Sequence, residues 1–306
     1  GGYVAPVDVV TNVGTGATSH YDNLSNGVVA LSNGNYVTAS SYWRNGAALR
    51  AGAVTWSDGA GAPTVGAVSS ANSLVGTVTD DRVGAGKYNG IGVQPLLAGY
   101  DSVGNQLYSG NYVVSSIAWN NGALVDAGAV TWGNGGAPLT GTISNVNSVL
   151  GLKAGDAANW TVTPLAVTGN YLIQNQNWNN GAVTNAGAVS LVDGTTGRLS
   201  DYTAQGNKNI VSAANSLVGS HAGDQVGSYV DPLFAYDAVS NTALYNGNYV
   251  VLSTLWDNGA VQDAGAVTWG SGSSGVRGVV SDVNSIVGVK TYFLVGSVYS
   301  ALYNGN

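Results

Sequence analysis

The chain has 306 residues and a net charge of -7, only 8% of its side chains are charged, and it contains no Cys, Met or Glu. Its nine Lys and Arg are scattered singly, which excludes the clustered basic surface that nucleic acid requires, and no apolar run approaches the roughly 18 residues that a membrane-spanning helix needs. Without cysteine there is no disulfide framework and no thiol chemistry, whereas 17 Tyr, 8 Trp and abundant Val make the composition that of a packed β protein rather than a disordered one.

In chain order, a repeated phrase opens at Gly34 (GNYVTASSYWRNGAALRAGAVTW) and returns at Gly110, Gly169 and Gly247, with constant spacing from Gly-Asn-Tyr to Gly-Ala-Val. Val28 to Leu31 and Tyr36 to Ser41 are predicted as a hairpin, because Asn33-Gly34 between them supplies the positive φ angles of a two-residue turn. After the first Trp of each copy (Trp43, Trp119, Trp178, Trp256) come a loop holding Asn-Gly, an Ala-Gly-Ala-Val strand, a Gly-rich turn and a fourth β run such as Gly141 to Ser144. Each copy closes on Asn-Ser, at Asn72, Asn147, Asn215 and Asn284, followed by two aliphatic residues and Gly; this segment is predicted to cross to the next copy. Four antiparallel strands per copy follow from that reading.

The Gly-Asn starts at Gly34, Gly110, Gly169, Gly247 and Gly305 lie 76, 59, 78 and 58 residues apart, so the true period is a doublet. The third copy departs from the others, with Leu191 in place of the second Trp and an insertion from about Asp193 to Lys208 that is predicted as a surface loop. A single repeat-built domain is expected, with cores at about 34–76, 110–151, 169–219 and 247–288 and terminal closing segments at 1–33 and 289–306. The C-terminal Leu302-Tyr303-Asn304-Gly305-Asn306 opens a fifth copy, and Gly1-Gly2-Tyr3-Val4 reads as its continuation. The fold class expected is therefore all-β, a β-propeller of four-stranded antiparallel blades, with four full repeats and a fifth closed by the two ends. The alternative is an open β-repeat stack. Pairing of the ends between molecules would instead build a filament.

LVGSHAGDQVGS from Leu217 to Ser228, the NGNYVVLSTLW strand, AGAVTW, and LVGTVTDDRVG from Leu74 to Gly84 together resemble the FG-GAP repeat of integrin-like β-propellers. The resemblance covers most of the chain and implies blades of the kind found in extracellular adhesion and surface proteins. The chain also looks like the tandem repeats of bacterial haemagglutinin-like surface exoproteins. Calcium-binding FG-GAP blades carry several Asp in the Asn-Gly loop, but the matching positions here are Ser32, Asn33, Gly34 and Asn35, without a carboxylate for a hard cation. No metal site or cofactor is therefore expected, and only the scaffold carries over.

Catalytic constellations are sparse in the sequence. His20 and His221 stand singly in polar text, and Asp80-Asp81, the sole adjacent acidic pair, reads as a solvated loop. The recurring Trp43, Trp119, Trp178 and Trp256 read as inter-sheet packing, with carbohydrate contact as the alternative. Asn23-Leu24-Ser25 and Asn159-Trp160-Thr161 fit the N-glycosylation pattern. The function expected is a non-catalytic extracellular structural or adhesive module of a bacterial surface protein. Its partners would be other copies of itself or host and matrix surface molecules, including glycans, with no nucleic acid and no membrane insertion. A lectin-like propeller is the alternative.

Overall fold

The computed structural model describes residues 27–101, 104–204, 206, 208–237 and 242–297; His20, Asn23, and the Gly1–Val4 and Leu302–Asn306 ends invoked for closure lie outside them. The chain is all-β, and its contacts divide it into two compact units, Gly1–Pro95 with Gly110–Ala158, and Leu96–Ser109 with Asn159–Asn306. The first and second copies of the repeat thus fall mainly in one unit, and the third and fourth in the other.

In the first unit, β1 (Gly27–Ala30), β2 (Tyr36–Ser40), β3 (Ala53–Ser57) and β4 (Leu74–Val75) are the first copy's own strands. The second copy forms β5 (Val93–Tyr100), β6 (Gln106–Ser116), β7 (Ala129–Gly133), β8 (Gly141–Thr142) and β9 (Ser148–Leu150). The sheets run β1-β2-β3-β4-β8 and β5-β6-β7-β9. The tip of the β5–β6 hairpin, Leu96–Ser109, belongs to the second unit, where the Tyr100 ring stacks on Tyr245 with centroids 4.8 Å apart.

The second unit repeats the plan. β10 (Thr161–Pro164), β11 (Tyr171–Asn175), β12 (Ala188–Val192) and β13 (Ser216–Val218) come from the third copy. β14 (Tyr229–Asp237), β15 (Thr242–Ser253), β16 (Ala266–Gly270), β17 (Gly278–Val279) and β18 (Ile286–Val287) come from the fourth. The sheet orders are β10-β11-β12-β13-β17 and β14-β15-β16-β18.

Four sequence expectations change. The run at Gly141 is not the fourth strand of its own sheet: β8 pairs in parallel with β4 of the first copy, Leu74 opposite Gly141, and β17 pairs likewise with β13. The Asn-Ser segment does not cross over; it is the fourth antiparallel strand itself, with Val54 opposite Leu74 and Val130 opposite Val149. The doublet is thereby given a physical basis, since each even copy lends a strand to the odd copy before it. The first hairpin pairs Ala30 with Tyr36, so its loop spans residues 31–35 rather than two residues, closed by Leu31 N–H donating to Asn35 C=O at 2.8 Å. Nor is the insertion only surface: Leu199 is buried and bridges back to Val192, and Asn209, which follows the insertion, is buried as well.

Strand alternation gives each sheet two faces. One carries the Tyr of Gly-Asn-Tyr and the Ala and Thr of Ala-Val-Thr; the other carries the Val or Leu that follows the Tyr, the second Trp, and the aliphatic residue after Asn-Ser. In the first unit the tryptophan face of copy one (Val37, Val54, Trp56, Leu74) packs with the tyrosine face of copy two (Tyr112, Val114). In the second unit Leu172, Val189 and Leu217 pack with Tyr249, Val251 and Ala266 in the same way. Burying an aliphatic side chain of this size contributes roughly 1.5–3 kcal/mol, so these two interfaces dominate the stability of their units.

A close backbone approach fixes the Gly-rich turn after each Ala-Val strand. A Cβ on Gly135 would lie 1.8 Å from the Gly110 carbonyl oxygen, and one on Gly272 1.7 Å from that of Gly247. The neighbouring Gly136 would meet only the Asn134 side chain, at 3.4 Å. Gly135→Ala is therefore expected to destabilise the chain by at least roughly 2 kcal/mol, whereas Gly136→Ala should stay within about 0.5 kcal/mol; denaturant titration of the two variants checks the contrast.

Candidate functional site

The polar residues that recur in every copy are engaged in the scaffold. The Asn of Gly-Asn-Tyr accepts, through Oδ1, the N–H of the glycine 24 residues further on: Gly59 to Asn35 (3.1 Å), Gly135 to Asn111 (3.3 Å), Gly194 to Asn170 (3.0 Å) and Gly272 to Asn248 (3.3 Å). The Gly135 carbonyl accepts Asn33 Nδ2, Asn35 Nδ2 and Trp56 Nε1, each at 2.8 Å. These amide oxygens are thus already occupied by backbone N–H groups. The Asn of the following Asn-Gly loop donates to the glycine that ends the fourth strand, as Asn45 to Gly76 (2.8 Å), Asn121 to Gly151 (2.9 Å), Asn180 to Gly219 (3.0 Å) and Asn258 to Gly288 (2.9 Å).

Asp81 corrects the reading of Asp80-Asp81 as a solvated loop. It is fully buried, and its Oδ2 accepts the N–H groups of Thr77 and Val78, both at 2.8 Å. Its Oδ1 accepts Asn120 N–H (3.1 Å) and Nδ2 (3.0 Å) from the second copy. Four donors on one carboxylate offset its desolvation and tie the two copies of the unit together. Asp224 does the same in the second unit, accepting Ser220, His221 and Asp257 N–H at 2.8, 2.8 and 3.0 Å. Burial pushes its carboxyl above the ordinary value, against the pull of those N–H groups.

Asp80 differs from its neighbour in every respect. It sits at φ +69, where the second and third copies have Gly155 and Gly223, and its half-exposed carboxylate forms a two-pronged pair with Arg50, with Arg82 Nε at 3.3 Å. The hydrogen bond from Arg50 holds the carboxyl below the usual range. The other copies put Asp126, Asn185 and Asp263 at the Arg50 position, so this charged cluster is peculiar to copy one. It borders a groove of about 760 Å³ within the first unit, whose lining includes Val78, Arg82, Ile117, Asn120 and Asp126. Mixed apolar and paired charged lining of this kind can hold a polar ligand with an apolar edge, but it presents no nucleophile beside a base.

The remaining sequence candidates fall as follows. Trp119, Trp178 and Trp256 are buried, and Trp43 is half-buried; in all four the main-chain carbonyl accepts the N–H of the Gly before the Ala-Val strand, as from Gly52 to Trp43 at 3.0 Å. A buried ring cannot stack on a sugar, which leaves Trp43 as the partly exposed member of the set. Asn159 ends a short 3-10 turn, Asp156–Asn159. His221 Nδ1 lies 3.2 Å from Ser220 Oγ and 3.8 Å from Asp224 Oδ2. Both neighbours approach the same ring nitrogen, so the three do not form a relay in which the carboxylate orients one nitrogen while the other takes a proton. Among the described residues no three His, Asp, Glu or Cys gather as metal ligands.

Asp80→Asn should preserve the positive φ, which Asn tolerates, and cost no more than about 1 kcal/mol as an exposed pair. Asp81→Asn, which turns a donor toward buried N–H groups, should cost roughly 2–4 kcal/mol. Because the Asp80 carboxyl is held low in the folded chain, its contribution is present above about pH 4 and is lost as the pH falls through the folded value. Wild type and Asp80→Asn should thus converge in acid, as thermal melts at several pH values would record.

Comparison with known proteins bears on these observations. A search of curated proteins finds no match to the chain. A family pattern described as a repeat of unknown function, DUF5650, matches residues 30–85, 106–159, 166–228 and 243–297, stretches that hold the later strands of each copy, whereas the first strands β5, β10 and β14, and all of β1 but Ala30, lie outside them. With most of its length so matched in tandem, the chain belongs to this DUF5650 repeat family.

Proposed function

We propose that the chain is a non-catalytic structural or adhesive module of an extracellular bacterial surface protein, associating with copies of itself or with surface and matrix molecules. The observation that carries this reading is the use made of the repeated polar side chains: the Asn, Ser, Thr and Asp residues that recur from copy to copy hold strands and loops together. Low charge and the resemblance to FG-GAP and haemagglutinin-like repeats support the location and role. A propeller-like arrangement of the four sheets is part of the same proposal, supported by the face-to-face packing of successive sheets inside each unit.

A lectin-like reading is favoured by one observation, the partial exposure of Trp43. The test combines a glycan array, a panel of hydrolase substrates and the mass of the full chain as a function of concentration. Expected are a mass that rises with concentration, no turnover, and no sugar that quenches tryptophan fluorescence. Turnover lost in His221→Ala would overturn the proposal. Sugar binding lost in Trp43→Ala would put the lectin reading in its place.

A further inference from the structure

The four copies of the repeat act as controls for one another, and their departures gather on the groove beside Asp80. Its lining comes from two copies: the loop of Asp80 and Arg82 in copy one, and the Asn-Gly loop with the Gly155 turn in copy two. The second unit has the same two loops of copy two, joined by the same backbone bond: Gly155 N–H donates to the Val125 carbonyl at 2.9 Å, and Tyr292 N–H to the Gln262 carbonyl at 3.0 Å. There Tyr292 stands where copy two has Gly155, with its hydroxyl 3.4 Å from Oε1 of Gln262, the counterpart of Val125. A Cβ on Gly155, at φ +69, would have nothing within 4 Å, whereas Tyr292 holds a full ring at φ +56. The groove of the first unit is therefore open where the second unit carries an aromatic ring.

Charge changes at the same place. Copy three has Asn185, Gly223 and Gln225 where copy one has Arg50, Asp80 and Arg82. Two guanidiniums share the one Asp80 carboxylate, so the cluster carries positive charge in excess. Asp126, from copy two, brings a negative charge to the same groove; it is exposed, and among the described residues no cation pairs with it. The rest of the lining is largely apolar, with Val78, Ile117 and Val125. An anion alone would meet Asp126, a cation alone would meet the arginines, and a neutral apolar ligand would strip water from Asp126 without replacing it. The volume of about 760 Å³ is that of a small-molecule site. We propose that this groove binds a small zwitterion with an apolar body, of the class of a di- or tripeptide with free termini, its carboxylate held at the Arg82 side and its ammonium by Asp126. The site adds a ligand to the module described above and does not depend on self-association.

A ligand-observed NMR titration of the full chain with dialanine, divaline and trialanine should give a Kd of about 1 mM or tighter for at least one of them. Acetylating the amine of that peptide, or amidating its carboxylate, should weaken it roughly tenfold or more, as loss of a charged hydrogen bond does. Asp126→Asn gives copy two the side chain that Asn185 supplies in copy three, and Val125→Gln with Gly155→Tyr gives it the Gln262 and Tyr292 of copy four, so each variant has a precedent within the chain. Asp126→Asn should weaken the free peptide and not the acetylated one, and the double variant should abolish binding of both. No binding of any of the three peptides at about 10 mM, equal binding of free and blocked peptides, or binding that survives the double variant would overturn the proposal. Should the double variant fail to melt cooperatively, Arg82→Gln, which matches Gln225 of copy three, takes its place: it should weaken the free and acetylated peptides and spare the amidated one, and unchanged binding of all three would overturn the proposal equally. The mass of the chain is read without peptide, so this site and the self-association reading fail separately.

Discussion

A polar bracket at the end of each copy holds the whole arrangement in register. In the second copy, Asn147 Oδ1 accepts the Ser144 N–H (2.9 Å), and its Nδ2 donates to the Thr142 carbonyl (3.0 Å). Ser148 Oγ donates to Asn147 Oδ1 (2.8 Å) and pairs with Thr131 Oγ1 on the Ala-Val-Thr strand (2.7 Å). The same set recurs around Asn72 and Ser73, Asn215 and Ser216, and Asn284 and Ser285, with hydroxyl pairs of 2.6–2.7 Å in every copy. A fourth strand of two or three residues has too few ladder bonds to specify its own position. The buried hydroxyl pair selects one register, and in that register the next aliphatic side chain points into the core. A one-residue slip would turn that side chain to the other face.

The bracket also accounts for the pairing of copies. With the fourth strand fixed, its outer edge in copies one and three accepts a short parallel strand from the following copy, which covers an edge otherwise open to association. Asp81 and Asp224 add a second tie between the same partners. Edge pairing, the buried carboxylate and the apolar interface therefore act on the same pair of copies, and each unit is a two-copy object. Where the repeats are alike, the side chains are structural. Where they differ, as at Arg50 and Asp80, the differences lie on surfaces that can meet something else.

Much of this was legible in the sequence, and the reasons it was not fully so are local. Constant spacing from Gly-Asn-Tyr to Ala-Val announced the repeat, the β class and the strands around it. The alternating intervals announced the doublet. The Asn-Ser strand was mistaken for a crossover because two or three residues carry no visible alternation, and what fixes them is a side-chain pairing 17 residues apart, Thr131 with Ser148. Asp81 was mistaken for a solvated residue because a carboxylate buried under four N–H donors looks in sequence like any loop acid. The recurrence of Asp at the equivalent Asp156 and Asp224 was the available signal. The tryptophans were read chiefly as packing, and three of the four are buried.

The bracket as the determinant of register is tested most directly by a double-mutant cycle in the second copy. Ser148→Ala leaves the buried Thr131 hydroxyl without its partner and should cost roughly 1–3 kcal/mol in denaturant titration. Adding Thr131→Val, which removes the orphaned hydroxyl at constant shape, should recover part of that loss, so that the double variant is more stable than the sum of the single effects. Strictly additive losses, or a Ser148→Ala chain as stable as wild type, would contradict the account.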